Sequence, residues 1–325
     1  MTERAYFLFI ALSSGLLSAL GTWALLPFLR RHALDMPNAR SSHTTPVPRG
    51  GGIAMIAAAL IGLWLTAVPF AILAASVLLA VVSLIDDLRK LPVSIRLAAQ
   101  CVAVALAMST LPARIFPATI PLGAEWVIVA LAWIWFINLT NFMDGIDGIS
   151  AMETIMVGAG IGLLHVLHPW ALPPSLAVEA GVMVASAYGF YLFNRSPAKL
   201  FMGDVGSIPL GFLMGYLLLC LAGYGYPLPA LILPAYYLSD ATWTLIKRLL
   251  RGDKVWQAHS EHAYQQAVRS HLTHAQVVAH ISWLNVALIT LAMLSTLSMM
   301  AGIASAILAY GLTFWLIHKF LHENH

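Results

Sequence analysis

The sequence predicts an all-α polytopic integral membrane protein of about eleven transmembrane helices. Three observations predict it. Of 325 residues, 60% are hydrophobic and only 10% are charged, whereas a soluble domain carries roughly 25% charged residues. Mean hydropathy is +0.83. The apolar residues also gather into segments near the roughly 20 residues that a helix needs to cross a bilayer.

Taken in order, the first segment is about 5–29, behind Met1-Thr2-Glu3-Arg4. It exceeds the roughly 7–15 apolar residues of a signal-peptide core, so it reads as a span. Next come 52–67 and 70–86, divided only near Pro69, where proline and the residue before it disfavour helix. The remaining spans are about 93–111, 125–142, 149–167, 175–193, 207–223, 228–248, 275–297 and 300–318. Cys101 and Cys220 both fall inside apolar segments, as packing residues rather than a disulfide or zinc framework. The whole chain, 1–325, reads as one integral membrane domain.

Eleven spans with the N-terminus outside put the loops at about 30–51, 87–92, 143–148, 194–206 and 249–274 on the cytoplasmic side. Every Lys and Arg except Arg4 and Arg114 then lies inside, as the positive-inside rule expects. Ten spans would scatter the charges across both faces. The expected topology is therefore N-terminus periplasmic and C-terminus cytoplasmic. Every unusual polar cluster falls on the cytoplasmic side.

Within Asn138-Leu139-Thr140-Asn141-Phe142-Met143-Asp144-Gly145-Ile146-Asp147-Gly148, an apolar segment ends in amides, carboxylates and glycines. Ionisable groups beside hydrocarbon are costly and point to function. Asn138 and Asp147 cannot share one helical stripe, because each three-residue step turns about 300°. Asn138 is expected to brace the span, with Asn141 onward leaving the helix.

Asp86-Asp87, followed by Lys90 and Arg96, closes the third span. Two acids at a helix C-terminus oppose the helix dipole, so a plain helix stop is a poor account of them. Asp204 lies between Gly203 and Val205-Gly206 ahead of the next span, downstream of Asn194 and Phe201. Asp240, deep in a span, needs a partner; a buried ion pair is the plain account. His259 and His262 could ligate zinc, but no third ligand is nearby in sequence, so phosphate or sugar contact is favoured. His274 and the remaining histidines read as interfacial, and Glu153 and Glu179 are given no role. The polar, basic, glycine-rich loop from Arg40 to Gly52 suits phosphate cradling.

Together these clusters resemble the polyprenyl-phosphate N-acetylhexosamine-1-phosphate transferase family. The likeness rests on Pro48 to Gly52, Asp86-Asp87, Asn141 to Gly148, Phe201 to Ser207, Asp240 and the histidine loop, in that order. It implies transfer of a sugar-1-phosphate from a UDP-sugar to undecaprenyl phosphate, releasing UMP, at a cytoplasmic-face site in the bacterial inner membrane. It implies Mg2+, with Mn2+ as a substitute, and Asp204 as the leading metal ligand, assisted by Asp87 and Asp147. Asp86, Asp87 and Asp147 match the catalytic positions. Asn141, Asp144, Asn194 and Phe201 match the nucleotide set, with Phe201 against uracil. Arg49, Lys90 and Arg96 match phosphate contacts. The expected partners are UDP-sugar, undecaprenyl phosphate, membrane lipid and, at family level, a second copy of the chain; no nucleic acid is expected.

The histidine loop separates branches. It lacks the three consecutive histidines of the peptidoglycan branch and the His-x-His-His of the enterobacterial-antigen branch. His259-Ser260-Glu261-His262-Ala263-Tyr264-Gln265 resembles the O-antigen-initiating branch, though Ser260 stands where an Arg often follows the first His. The expected chemistry is direct attack by the lipid phosphate, with a covalent aspartyl-phosphate as the alternative route. A competing class is an ion- or proton-coupled transporter using the acids as a relay. An intramembrane metalloprotease would need His-Glu-x-x-His, which is absent.

Overall fold

The computed structural model describes residues 3–36, 45–66, 68–254, 259–270 and 272–322; the residues of the Arg40–Gly52 loop up to Thr44 lie outside these. Among the described residues, the regular structure is helical apart from one two-stranded ribbon and an isolated bridge between Arg49 and Phe201. In order come α1 (Glu3–His32), β1 (Leu34–Asp35), β2 (Val47–Pro48), α2 (Gly52–Leu65), α3 (Phe70–Arg89), α4 (Val93–Met108) and α5 (Leu122–Met143). There follow α6 (Ile149–Leu167), α7 (Pro174–Asn194), α8 (Asp204–Gly223), α9 (Pro227–Ile232) and α10 (Ala235–Leu250). The last three are α11 (Ala263–Ser270), α12 (His274–Leu294) and α13 (Met299–His322). Eight of them are long and apolar enough to cross a membrane, and α2 and α4 are shorter apolar helices. The chain is a multi-pass membrane protein.

Two features differ from the sequence reading. The segment expected as one span over 228–248 is broken at Leu233-Pro234 into α9 and α10. Pro234 has no N–H to continue the helix, and its ring clashes with the preceding turn. The division near Pro69 holds, separating α2 from α3. The last inner loop carries the short helix α11, which its polar sequence did not announce.

Large apolar side chains such as Trp23, Trp64, Trp283 and Trp315 face outward. Lipid tails are as apolar as leucine, so burial alone does not draw helices together; close packing of small residues does. α8 is the hub. Nearly all of it is buried, and it packs on α2, α3 and α5. Gly52 lies against the Cα of Gly206, so any side chain there would strike backbone. Trp133 of α5 stacks on Phe212 of α8 with ring centroids 4.9 Å apart. Its indole N–H donates to the Phe212 carbonyl at 3.0 Å. A second seam joins α1 to α7, where Gly15 meets Ala185 and the Ser18 hydroxyl donates to the Ser186 carbonyl at 2.7 Å.

Gly206→Ala should lower the detergent melting midpoint by several degrees, since overpacking a tight contact costs about 1–3 kcal/mol. Gly123→Ala, whose added methyl meets nothing within 4 Å, should leave it unchanged. Fluorescence-detected gel filtration after heating reads both, and equal midpoints would reject the close α2–α8 contact.

Candidate active site

The site forms where the C-terminal ends of α3 and α5 meet the N-terminal ends of α4 and α8. Asp87 lies in the last turn of α3. Its carboxylate accepts from the backbone N–H of Val205 at 3.1 Å and of Asp204 at 3.4 Å. It thus caps α8 from another helix, meeting the positive end of the α8 dipole. Arg49 follows β2, and one guanidinium nitrogen lies 3.0 Å from Asp87 Oδ1 and 2.6 Å from Asp204 Oδ1. Asn141 donates to Asp204 Oδ1 at 3.1 Å and to the Ser207 hydroxyl at 2.8 Å. Gly203, at φ +77°, makes this possible; a Cβ there would crowd the Arg49 stem and Asp87 Oδ2, each at 3.2 Å.

Asp86 points elsewhere. It accepts from the Leu91 N–H at 2.6 Å and from Arg96 at 3.1 Å. Beside it opens a cavity of about 370 Å³, its walls formed by Leu79, Val93, Leu97, Leu131, Trp135 and Ile208 together with Asp86, Arg96, Asn141 and Asp204. Val93, Leu97 and Leu131 are exposed on the apolar surface. Arg96 Nε is buried there without a hydrogen-bond partner. Asn138 braces the wall, exchanging hydrogen bonds with Gln100 at 2.7 and 3.3 Å. Gln100, a lone amide in an apolar helix, is a partner that sequence reading missed, although its polarity was the available signal.

Asn141 stays within the last turn of α5 instead of leaving the helix as expected; the chain turns out at Asp144. Asp144 is pushed up to about 7, chiefly by burial, against the opposing effects of the Ser150 hydroxyl and the Arg49 charge. Asp147, expected beside the metal, is turned to other partners. Its carboxylate lies 3.1 Å from His274 Nδ1 and accepts from the Ala198 N–H at 3.0 Å. Burial raises the Asp147 carboxyl, but His274 and these hydrogen bonds outweigh it and hold the pKa below the usual range. His274 is therefore a loop fastener, not a plain interfacial residue. Asn194 is buried, accepting from the Gly148 N–H at 3.0 Å and donating to the Leu200 carbonyl at 2.9 Å. Both ends of its amide are spent on backbone, so it braces two site loops. Phe201 is half-buried, and its N–H and carbonyl bond Pro48, Gly50 and Gly51.

Asp240 is buried and caps α11, accepting from the N–H groups of Ala263 at 2.8 Å and Tyr264 at 3.2 Å. Its Oδ1 lies 3.6 Å from His262 Nδ1. The expected partner of this acid is thus the histidine loop itself. The Tyr264 hydroxyl donates to the Phe142 carbonyl at 2.9 Å, tying the loop to α5. The His259 ring lies 4.8 Å from that of His262, tilted by 35°, and its pKa is pushed down to about 4, by burial first and then by His262 and Arg248. It is neutral near pH 7. Lys90 is exposed and holds φ +50°, a left-handed conformation that glycine takes more readily.

Among the described residues, no three His, Cys, Asp or Glu side chains gather as a metal cluster. That does not suit zinc, which takes three or four protein ligands. Asp87 and Asp204 converge on one cation, the Arg49 guanidinium. Two carboxylates supplemented by substrate phosphates and water suit magnesium.

The profile described as Glycosyl transferase family 4 matches residues 69–222. The chain is 26% identical over 301 residues to the probable undecaprenyl-phosphate N-acetylglucosaminyl 1-phosphate transferase of Bacillus subtilis (strain 168), covering 86% of this chain and 82% of that one. It is 32% identical over 102 residues to a phospho-N-acetylmuramoyl-pentapeptide-transferase of Streptococcus pyogenes serotype M49 (strain NZ131), covering 31% of this chain and 30% of that one.

The Asp147–His274 tie yields a pH prediction. A carboxyl held below its unfolded pKa of about 4 stabilises fully above that value and loses the effect as pH falls through the lower folded value. Asp147→Asn should cost about 1.5–3 kcal/mol above pH 5, the scale of a hydrogen bond to a charged group. The gap between the melting curves should close toward pH 3. A gap independent of pH would reject the ionised tie.

Proposed function

We propose that this chain, which belongs to the polyprenyl-phosphate hexosamine-1-phosphate transferase family, moves an N-acetylhexosamine-type sugar-1-phosphate from a UDP-sugar to undecaprenyl phosphate. The products are undecaprenyl-diphospho-sugar and UMP. The observation that carries the reading is the apolar cavity that opens among exposed apolar side chains and runs to Asp86, Arg96, Asn141 and Asp204. A long prenyl chain suits the apolar stretch. The buried, unpartnered Arg96 Nε suits the phosphate at its end.

A lipid phosphate oxygen attacks the β-phosphorus of the UDP-sugar, and the bond from that phosphorus to the bridging oxygen breaks, releasing UMP. One phosphoanhydride replaces another, so the protein's work is positioning and charge stabilisation. Arg96 and Lys90 take the lipid phosphate. Asn141 and the 144–148 loop meet the nucleotide end, with Phe201 toward uracil. His259, neutral, contacts the sugar or diphosphate by hydrogen bonding. Asp204 and Asp87 would hold Mg2+, which offsets charge on the meeting phosphates. Both oxygens of Asp86 and of Asp87 already accept hydrogen bonds, which favours direct attack over a covalent aspartyl route.

The arginine and lysine distribution supports a cytoplasmic-face site with the N-terminus periplasmic. The form of the histidine loop supports the O-antigen-initiating branch.

The test is detergent-purified protein with undecaprenyl phosphate and Mg2+, screened for UMP release across UDP-GlcNAc, UDP-GalNAc, UDP-FucNAc and UDP-QuiNAc. At least one sugar should give lipid-dependent UMP, and Asp204→Asn should lower that rate by about 100-fold or more while eluting as wild type. No UMP with any sugar, or uptake of solute into sealed vesicles instead, would overturn the assignment. Leu97→Trp should raise the KM for undecaprenyl phosphate by about tenfold, equivalent to ~1.4 kcal/mol, and spare the KM for UDP-sugar. An equal rise in both would reject the cavity as the lipid groove.

A further inference from the structure

Arg49 occupies the point on which Asp87 and Asp204 converge. Its nitrogen lies 3.0 Å from one carboxylate and 2.6 Å from the other, a cation seated between two anions. Taken alone, two carboxylates this close would repel. A divalent ion brought to them would compete with the guanidinium for the same oxygens.

The base and the head of Arg49 are held differently. Its backbone N–H donates to the Ala33 carbonyl at 2.8 Å, and the next two N–H groups donate to the Phe201 carbonyl at 3.1 and 2.9 Å. The backbone is thus clamped to the loop that leads into α8. The side chain is 41% exposed, against 13% for Asp87 and 21% for Asp204, so the head has an open side into which to swing. The arginine side of this pair is open to solvent, which weakens the contact and lets it exchange. A guanidinium also matches phosphate oxygens better than a point charge does.

We propose that Arg49 is a built-in surrogate cation. It fills the metal seat in the free protein and is displaced when a divalent ion binds, which releases it toward the diphosphate of the incoming nucleotide-sugar. The proposal rests on the metal reading above. By linkage, a diphosphate that draws Arg49 away raises metal affinity, and a metal that expels Arg49 raises diphosphate affinity by the same factor. The device keeps the two carboxylates partly neutralised between turnovers without a tightly held ion.

The experiment measures metal binding, not turnover. Wild type, Arg49→Met, Arg49→Gln, Arg49→Lys and Asp204→Asn, each purified in detergent without nucleotide or lipid, are titrated with Mn2+ and the free ion is followed by electron paramagnetic resonance. Arg49→Met and Arg49→Gln should bind Mn2+ about two- to fivefold tighter than wild type, the scale of one part-exposed ion pair removed. Arg49→Lys, which keeps the charge, should stay close to wild type. If wild type binds, Asp204→Asn does not, and both neutral variants bind no tighter, the surrogate-cation inference falls while the metal assignment stands. If neither wild type nor the neutral variants bind Mn2+, the metal reading falls and the inference falls with it.

Discussion

Asp87 ends one helix and caps another. By accepting the first N–H groups of α8, its carboxylate fixes the angle at which that buried helix meets α3. Those N–H groups have no partners within α8, because a helix leaves its first turn unsatisfied. The same carboxylate draws in Arg49, and Arg49 draws in Asp204. The glycine contact between α2 and α8 then brings the Arg49 loop within reach. One acid thereby sets the relative placement of α2, α3 and α8, and small-residue packing carries the placement along their length.

Around this centre, the polar residues divide into anchors and open groups. Asn194, Asp147, Asp240 and His274 spend their hydrogen-bonding capacity on backbone, on one another or, for Asp240, also on the Tyr236 and Thr244 hydroxyls. They hold the 144–148 loop, the loop before α8 and the histidine loop against each other. Arg96 Nε is buried and unspent, while Lys90 is exposed at the end of α3. A site that must grip a charged, water-soluble sugar nucleotide beside hydrocarbon needs both kinds. Anchors pre-order the loops, so less ordering entropy remains to oppose binding, and the open groups meet the ligand.

Much of this was legible in the chain because membrane helices obey one strong rule, that backbone polar groups be satisfied within the segment. The apolar runs therefore marked the helices, and Pro69 correctly divided α2 from α3. Pro234 carried the same signal inside the expected span 228–248, but continuous hydropathy masked it. Among site residues, Asp87, Asn141 and Asp204 converge as their motifs implied, and Asn138 braces as expected. The partners were not legible. His274 stands 127 residues from Asp147 and begins a helix in ordinary capping sequence, so nothing local tied it to an acid. Asn194 and Asp147 carry the residue types of ligand contacts, yet tertiary packing turned them inward. Residue type declares a chemical capacity, and only the fold decides whether a ligand or a neighbouring loop uses it.

The pairing of Asp86 with Asp87 follows from helical geometry. Successive residues on an α-helix point about 100° apart, so two adjacent carboxylates at one helix end cannot serve one ligand alike. Asp86 turns toward Arg96 and the apolar cavity; Asp87 turns toward α8, Arg49 and Asp204. In the proposed reaction those directions correspond to the two substrates, prenyl phosphate on one side and sugar nucleotide on the other. The end of α3 is then the partition across which the phosphates must meet. Separate acids allow each side to organise its own cation, Arg96 for one and Arg49 or a metal for the other. A single carboxylate at this helix end would have to serve both sides, and movement of one cation would disturb the other. The doubled aspartate lets the lipid phosphate be seated independently of the exchange at Asp87 and Asp204.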